Sequence, residues 1–410
     1  MDEEISEKLV HRLVQYARVG TQSNEGSETS PSTEVQKILS AQLRDELILL
    51  GLDADMDEKG YVYGRLPGHI ETAPAIGFIA HLDTATGVSA SCVEPQVHHN
   101  YQGGDISLED GVRIAASELK NHVGDTIISS NGRTLLGADD KAGISVIMTA
   151  MELIKTRWDG QHGDVYVMFN PDEEVGRGTE HFNPEKFPVT AAFTMDGGGV
   201  GEIECETFYA AKAVVTFKGT PVHPGVDGYQ KLINPVSIAC EYERAIPATE
   251  RPETTRERFG FYYPMNMNGN PEKATLDILL RDFDKEKLQR RKEFLTKLAD
   301  IHNTTYGAGT VTVEIKDQYP NMKATLDEHP AVVQVAVEAM RKAGVAEPRY
   351  PVIRGGTDGA TLTVEKGIPT PNISAGMYNI HSVKEFASAR DMGTATHFIL
   401  NVVRAYAELA

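Results

Sequence analysis

Short apolar runs that alternate with helical patterns constrain the fold of this chain most. The run DVYVMF at residues 164–169 is apolar on both faces of a strand, and similar runs begin at residues 61, 75 and 191. Strands of this kind are typical of a parallel sheet that is covered on each side. A helical pattern from residue 141, KAGISVIMTAMELIKTRW, lies between the run at residue 75 and the run at residue 164. The alternation predicts an α/β fold with a mostly parallel sheet.

The pattern of the chain changes at residue 208. Residues 208–320 contain, in order, a half-exposed strand, an amphipathic helix, two strands, a long charged helix and a further strand. This β-α-β-β-α-β order is the signature of ferredoxin-like domains. Beyond it the α/β pattern returns, with helices near residues 330–343 and from about residue 388. We therefore expect one domain of residues 1–207 and 321–410, into which residues 208–320 are inserted as a second domain.

The composition excludes several classes of protein. No apolar run approaches the roughly 20 residues that cross a bilayer as a helix, and the first ten residues are acidic where a signal peptide is basic and then apolar. The 59 acidic residues outnumber the 40 Lys and Arg residues, and the net charge of −19 disfavours binding to nucleic acid or to anionic membranes. Three cysteines, an odd number, indicate no disulfide framework. We expect a cytoplasmic protein.

Polar side chains stand at or just after five predicted strand ends. In open α/β sheets, ligands bind in the crevice beyond the carboxyl ends of the strands, so these side chains are expected to converge on one site. They are His81 and Asp83 in HLD, Asp139 and Asp140 in GADD, Glu173 and Glu174 in PDEE, Asp196 in MDGGG, and His381 in NIH.

Each of these motifs alone has an ordinary structural explanation. Paired acids cap helices or occupy solvated turns, a single His-x-Asp is most often a surface pair, and three glycines form a tight turn. Five coincident placements favour a functional site instead, because carboxylates gathered in a crevice need positive charge. Imidazole with carboxylate suits zinc, with manganese and cobalt as alternatives. Two metals that share one carboxylate leave room for a bridging water and for one further carboxylate as a base.

The motifs together resemble those of the M20 metallopeptidases. HLDT, GADDKAG, PDEEVGRG, DGGG, HPG, RGGTDGA and NIH follow one another along the chain, and the resemblance extends essentially from end to end. Within the family the chain is most similar to the cytoplasmic aminotripeptidases. The resemblance implies a catalytic domain with two zinc ions per subunit and an inserted lid that closes over short peptides. In this family the lid domains of two subunits either pair or stay apart, so a homodimer through the lid is one expectation.

The resemblance also assigns the metal ligands. His81 and Asp196 would bind one zinc ion. His381 and Glu174 would bind the other, and Asp139 would bridge the two. The peptide bond that follows Asp139 is commonly cis in the family, so a non-proline cis bond is expected here.

Other residues receive roles around the metals. Asp83 would orient the imidazole of its ligand neighbour, Glu173 would be the general base, and Asp172 would shape the turn. Three further residues fall in stretches associated with substrate recognition, Arg281, Arg354 and Asn379, and an arginine is suited to grip a terminal carboxylate.

His223, in TPVHPG of the inserted domain, would stabilise the oxyanion from its own subunit or from a partner. On local sequence alone it reads as a turn histidine before a proline.

The expected function is hydrolysis that releases the N-terminal residue from tripeptides, by attack of a metal-bridging hydroxide on the first peptide carbonyl. The expected substrates are short peptides with a free N-terminus. One alternative is another hydrolase of the M20 type, namely a dipeptidase, a carboxypeptidase or an N-acyl amino acid deacylase. The other is a metal-binding or peptide-binding protein without catalysis.

Overall fold

The computed structural model describes residues 3–158, 160–226 and 231–410. The chain divides into two compact units. The larger unit runs up to Cys205 and continues through Met322–Pro351 and Thr357–Ala410, and the smaller unit comprises Glu206–Asn321 and Val352–Gly356. Residues 352–356, which the sequence places in the larger domain, are thus grouped with the inserted residues.

Helices and strands alternate through most of the described chain. The helices are α1 (Glu3–Ala17), α2 (Gln36–Leu49), α3 (Ala138–Arg157), α4 (Pro235–Ala245), α5 (Lys285–Tyr306), α6 (Lys323–Glu328), α7 (Pro330–Lys342), α8 (Asp358–Glu365) and α9 (Ala389–Ala407), with 3₁₀ turns at Glu109–Gly111, Glu173–Val175, Ala248–Glu250 and Pro252–Thr254. The strands are β1 (Asp53–Met56), β2 (Val62–Leu66), β3 (Ile76–His81), β4 (Gln96–His98), β5 (Ile106–Ser107), β6 (Arg113–Ile114), β7 (Ile127–Ser129), β8 (Val165–Asn170), β9 (Ala191–Gly197), β10 (Ile203–Glu204), β11 (Tyr209–Lys218), β12 (Phe261–Gly269), β13 (Lys273–Asp282), β14 (Val311–Tyr319), β15 (Asn372–Ser374), β16 (Met377–Tyr378) and β17 (Phe386–Ser388).

A seven-stranded sheet forms the centre of the larger unit, in the order β1-β2-β8-β3-β9-β15-β10. Its four middle strands, from β8 to β15, run parallel, and the outer strands pair antiparallel. The predicted α/β class is therefore confirmed. The parallel strands matter for the site because the carboxyl ends of β8, β3 and β9 lie side by side.

Both faces of this sheet are covered, as the apolar runs predict. Phe78 of β3 packs in the core with α1, α2, α3, α7 and α9. Its neighbour Ile79 points to the opposite face, into a second apolar cluster that contains Leu362 of α8. Successive residues of a strand face opposite sides of a sheet, so a strand buried on both sides has no polar alternation. None of the described helices is both long and apolar enough to cross a bilayer.

A second sheet of the larger unit, in the order β16-β17-β7-β4, corrects one detail of the sequence prediction. The expected strand that ends directly at Asp139 is wrong, because β7 ends at Ser129 and an irregular loop leads from it to α3. His381 likewise follows β16 of this second sheet and not a strand of the central one. These strands have only two or three residues, too few to show a periodic pattern.

The smaller unit has the predicted β-α-β-β-α-β order. Its strands form an antiparallel sheet in the order β12-β13-β11-β14, and α4 and α5 pack against it through a shared apolar core. Asn234 caps α4 by accepting a hydrogen bond from the N–H of Val236, and Asp284 caps α5 in the same way. The predicted ferredoxin-like architecture of the inserted residues is confirmed.

Candidate active site

Three parallel strands deliver the first part of the site. His81 is the last residue of β3, and Asp196 lies one residue before the end of the neighbouring strand β9. On the other side of β3, β8 ends at Asn170 and leads into the 3₁₀ turn that begins at Glu173. The strand-end placement that the sequence predicts for these residues is confirmed.

The start of α3 brings in a further carboxylate. Gly143 in the first turns of α3 allows this helix to lie close to β9, because a Cβ atom at that position would fall 2.2 Å from the carbonyl oxygen of Met195. Asp139 and Asp140, just before the regular helix, have non-helical backbone angles. The bond between them is cis, as expected.

The carboxylate of Asp139 lies between two imidazoles. Its Oδ1 is 2.9 Å from Nε2 of His81, and its Oδ2 is 3.0 Å from Nε2 of His381. Each imidazole has a second carboxylate nearby: Asp196 lies 3.6 Å from His81, and Glu174 lies 3.0 Å from His381. One carboxylate thus joins two imidazole–carboxylate groups. We call these five residues, together with Glu173, the acidic cluster.

The two imidazoles differ in exposure. The side chain of His81 is 2% exposed, whereas that of His381 is 49% exposed. The imidazole of His81 therefore lies inside the unit, whereas that of His381 reaches its surface.

Asp83 connects the first imidazole to the turn after β8. Its carboxylate lies 3.4 Å from Nδ1 of His81 and accepts hydrogen bonds from the N–H groups of Glu173 (3.0 Å) and Glu174 (3.1 Å). Ser23 donates a further hydrogen bond to it. Because Asp83 is fully buried and holds three elements at once, it fixes the relative positions of the imidazole and the turn.

Asp172 also fixes this turn, from the other side. It is buried and has a left-handed backbone with a φ of 63°. Its carboxylate accepts hydrogen bonds from the N–H of Ser32 (2.7 Å) and from Nε2 of Gln36 (2.8 Å), and Gln36 accepts one from the N–H of Asp172 (3.1 Å). These hydrogen bonds tie the turn after β8 to the segment of Ser32 and Gln36.

Asp140 is close to the cluster but its oxygens are engaged elsewhere. One accepts a hydrogen bond from the N–H of His81 and the other from the N–H of Gly143, both at 3.2 Å. Among the described residues, two groups of three have ligand atoms within 4.8 Å of one another: His81 with Asp140 and Asp196, and His81 with Asp139 and Glu174. Since Asp140 serves the backbone, Asp139 is the better candidate for a shared ligand.

The proximity of these groups changes their pKa values. Burial alone would lower the pKa of His81, but the carboxylates of Asp139 and Asp196 raise it well above its ordinary value. Burial would likewise raise the pKa of Asp139, but hydrogen bonds with His381 and His81 lower it. Burial and the charge of Asp139 raise the pKa of Asp196 to about 7. Negative charge is therefore crowded here beyond what the imidazoles offset.

Glu173 is subject to the same crowding. Burial raises its pKa well above the ordinary value, and the neighbouring carboxylates of Asp196, Asp358 and Glu174 add to the effect. Such a carboxyl group holds a proton more readily than a solvated one, which suits an acid–base role near neutral pH.

The chemistry of the cluster fits divalent cations. Four carboxylates and two imidazoles are the oxygen and nitrogen donors that zinc prefers. Oε1 of Glu174 is buried and takes part in no hydrogen bond, although Nε2 of His381 lies 3.0 Å away. A buried carboxylate oxygen that has only this imidazole nearby and takes part in no hydrogen bond would be stabilised further by a bound cation.

Four other predicted residues are not among the residues that form the cluster. His223, Arg281 and Arg354 belong to the smaller unit. Asn379 belongs to the larger unit, two residues before His381, and donates a hydrogen bond to Glu118.

The three residues of the smaller unit have different surroundings. His223 is exposed and begins a turn. Arg281 is buried, donates to the carbonyl of Leu280 (2.9 Å) and lies over the ring of Tyr319. Arg354 donates to two backbone carbonyls and to a threonine hydroxyl.

Among the buried charged residues of the larger unit that the sequence prediction missed, three interact with residues of the cluster: Lys141, Asp358 and Glu385. Asp358 accepts a hydrogen bond from Asn170 at the end of β8, and a Cβ atom at Gly178 would fall 2.3 Å from both of its oxygens. It therefore packs tightly behind the turn that carries Glu173. The RGGTDGA motif was a signal for it, whereas nothing in the sequence near Glu385 indicates the contacts that it makes.

The chain is similar to known peptidases over nearly its whole length. The model of the peptidase family M20/M25/M40 matches residues 132–405. A protein named peptidase T from Caldanaerobacter subterraneus subsp. tengcongensis is 43% identical over 406 residues, which are 97% of this chain and 98% of that protein. The peptidase T of Bacillus licheniformis is 42% identical, with coverage of 98% and 99%.

Solved structures share the fold. A tripeptidase from Staphylococcus aureus has a TM-score of 0.78 at 20% identity, with 98% of this chain and 99% of that chain covered.

Proposed function

The chain belongs to the peptidase family M20/M25/M40, and from that membership we propose that it is an aminopeptidase that releases the N-terminal residue from tripeptides. The observation that carries the proposal is the position of the Asp139 carboxylate between the imidazoles of His81 and His381. The similarity to proteins named peptidase T supports the choice of tripeptides.

Two divalent cations are part of the proposal. His81, Asp139 and Asp196 hold one of them. His381, Asp139 and Glu174 hold the other. Zinc suits these donors, with manganese and cobalt as substitutes. When bound, such cations polarise the scissile carbonyl and acidify the attacking water.

Glu173 moves the proton. It takes a proton from the water that attacks the first peptide carbonyl and delivers it to the nitrogen of the leaving amine. A C–O bond forms and the C–N bond breaks. The raised pKa of Glu173 favours the second half of this transfer, in which the carboxylic acid donates. Asp83 supports the step by holding the N–H of Glu173 and by orienting the imidazole of His81.

Four further residues are assigned to substrate recognition in this proposal. His223, from its own chain or from a second copy, stabilises the oxyanion. Arg281 and Arg354 grip the C-terminal carboxylate of the peptide, and Asn379 contacts the peptide near the cluster.

Replacing Arg354 by Met should raise the KM for a tripeptide but leave the KM for the corresponding tripeptide amide unchanged, because the amide has no terminal carboxylate. An equal rise in KM for both substrates would rule out the proposed role of Arg354 in binding the carboxylate.

The inserted unit acts as a lid over short peptides and excludes longer ones, and two copies of the chain pair through it. Strand β12 is an edge of its sheet and exposes Tyr263, Met265 and Met267. We place the enzyme in the cytoplasm. Sedimentation equilibrium of the full chain measures the pairing, and a monomer at all concentrations would contradict it.

A length series of peptides tests the proposed activity. The zinc-loaded protein is given unmodified peptides of two to five residues, and the products are identified by mass spectrometry. We expect release of the N-terminal residue from the tripeptide and little cleavage of the others. The N-acetylated tripeptide is the matched control, and it should stay intact because an aminopeptidase needs the free amine.

The alternatives predict other outcomes of the same assay. Removal of the acetyl group indicates a deacylase, and release of the C-terminal residue indicates a carboxypeptidase. Bound zinc without cleavage of any peptide indicates a binding protein. Each of these three results would overturn the proposal.

A further inference from the structure

Glu385 is a buried carboxylate to which the proposed reaction assigns no part. It is 1% exposed. Its Oε2 accepts hydrogen bonds from the N–H groups of Leu136 and Gly137, both at 2.8 Å, and its Oε1 accepts one from the N–H of Asp139 at 3.0 Å. Three backbone donors therefore converge on one side chain.

These donors belong to the turn that leads into α3. The first N–H groups of a helix have no partner within the helix and need an acceptor from elsewhere. Gly137, which precedes α3, has a left-handed backbone and forms no side-chain cap. Glu385 supplies the missing acceptor from a position 246 residues further along the chain than Asp139.

The other end of this connection is the segment that carries His381. Glu385 follows His381 by four residues and stands directly before β17, which is paired on both sides in the second sheet. A turn between the two residues is held by Ser382, whose hydroxyl donates to the carbonyl of Asn379 (2.7 Å) and accepts from the N–H of Lys384 (3.1 Å). These hydrogen bonds hold the short segment between His381 and Glu385, and they therefore fix the spacing of the two residues along it.

We propose that Glu385 is a positioning residue that joins the segment of His381 to the segment of Asp139. By holding the N–H of Asp139, it sets the carboxylate of that residue between the two imidazoles. Glu385 itself ligates nothing and touches no substrate. The ammonium of Lys141, which is also buried, offsets its negative charge. The inference rests on the proposed function in one respect, which is that the shared carboxylate of Asp139 is a cation ligand.

A purely structural role is the competing explanation, since the loss of three hydrogen bonds to a buried group lowers stability wherever it occurs. The two explanations differ in what happens to cation binding. A positioning role requires weaker binding of both cations, because both depend on Asp139. A purely structural role requires a lower melting temperature with unchanged cation affinity.

The decisive variant is Glu385→Gln in the full chain, with zinc affinity measured by competition with a chelator. Glutamine keeps the length of the side chain but replaces one acceptor oxygen by an NH₂ group, which cannot accept a hydrogen bond. We expect the affinity for both zinc ions to fall about 10- to 100-fold, the effect typical of groups that hold metal ligands. We also expect kcat for a tripeptide to fall while KM stays unchanged.

Two further variants separate the effect of the position of the Glu385 carboxylate from the effects of its charge and of protein stability. Glu385→Asp keeps the negative charge but shortens the side chain, so it should not restore the affinity. Glu46→Gln is the matched control, because it makes the same substitution in a carboxylate that is bonded by Arg12 and Tyr16 instead. It should lower the melting temperature without a change in zinc affinity.

Wild-type zinc affinity in Glu385→Gln, or full recovery in Glu385→Asp, would overturn the positioning role. If Glu385→Gln does not fold, Glu385→Asp still decides the matter, since wild-type affinity in it contradicts the proposal. The zinc measurement needs no substrate. It therefore stands even if the wild-type protein cleaves no tripeptide, and that result would count against the proposed function alone.

Discussion

Two clusters of charged side chains in the larger unit, each with buried and partly buried members, differ in their balance of charge. The first lies among α1, α2 and α3, and we call it the balanced cluster; its members are Lys8, Arg12, Tyr16, Glu46 and Glu152. Arg12 pairs with Glu46 at 2.8 Å and with Glu152 at 2.7 Å, and Lys8 pairs with Glu152 at 2.6 Å. Two cationic side chains offset two carboxylates.

The acidic cluster has no such balance. Within the described chain, three of its four carboxylates form ion pairs, and they do so only with the imidazoles of His81 and His381. Charge that the chain leaves unbalanced in a buried place must be neutralised by protons or by cations from solution. Burial of charge alone therefore does not mark a functional site. What distinguishes the acidic cluster is an excess of negative charge over positive charge.

Replacing Glu173 by Gln should give the largest effect in the acidic cluster. Glutamine has nearly the same size but carries no proton to the leaving amine, so turnover of a tripeptide should fall about 10²- to 10⁴-fold. Two zinc ions should still bind, as counted by elemental analysis of the dialysed protein. Activity near that of the wild type would show that another group is the base.

Replacing Asp83 by Asn should have a smaller effect, on cation affinity. The amide no longer offers two acceptor oxygens to Ser23, His81 and the turn at Glu173, so the ligands lose their fixed positions. We expect zinc affinity to fall roughly 10- to 100-fold. Competition with a chelator measures it, and an unchanged affinity would mean that the imidazole needs no support from Asp83.

Cation affinity should also depend on pH. Contacts with Asp139 and Glu174 raise the pKa of His381 to about 10 in the metal-free protein, so its imidazole is charged at neutral pH. A ligand imidazole must be neutral, and a binding cation therefore displaces this proton. At pH values below this pKa, the apparent zinc affinity should increase about tenfold for each unit by which the pH is raised, for each proton displaced. Zinc titrations at two pH values test this, and equal affinities would contradict it.

Replacing Arg12 by Met in the balanced cluster should leave the site unaffected. The substitution removes the hydrogen bonds of Arg12 to Thr149 and Glu46, and we expect the free energy of unfolding to fall by roughly 1–3 kcal/mol. Denaturant unfolding measures the loss. Zinc affinity and kcat should stay at wild-type values, and a parallel fall in both would mean that the clusters are coupled.

The sequence predicted the central elements because they are long enough to carry a pattern. The run from residue 75 became β3, and the pattern from residue 141 became α3, which begins three residues earlier, at Ala138. Strands β7 and β17 were missed, since three residues show no period and their pairing joins Ser129 to Phe386 across the chain.

The same distinction holds within the site. His81, Glu174 and Asp196 stand at the ends of readable strands, and their chemistry is visible in their side chains. Asp139 and His381 were found through their motifs, although the strands expected before them differ from those in the structure. Glu385 could not be found, because its partners are backbone N–H groups, and these are the same for every residue except proline.

A zinc titration of the metal-free wild-type protein by calorimetry tests the central claim most directly. The unbalanced charge of the acidic cluster predicts saturable binding of two zinc ions per chain. It also predicts that His381→Ala, which removes one imidazole, leaves only one tight site. Absence of saturable binding, or two unchanged sites in His381→Ala, would contradict the account.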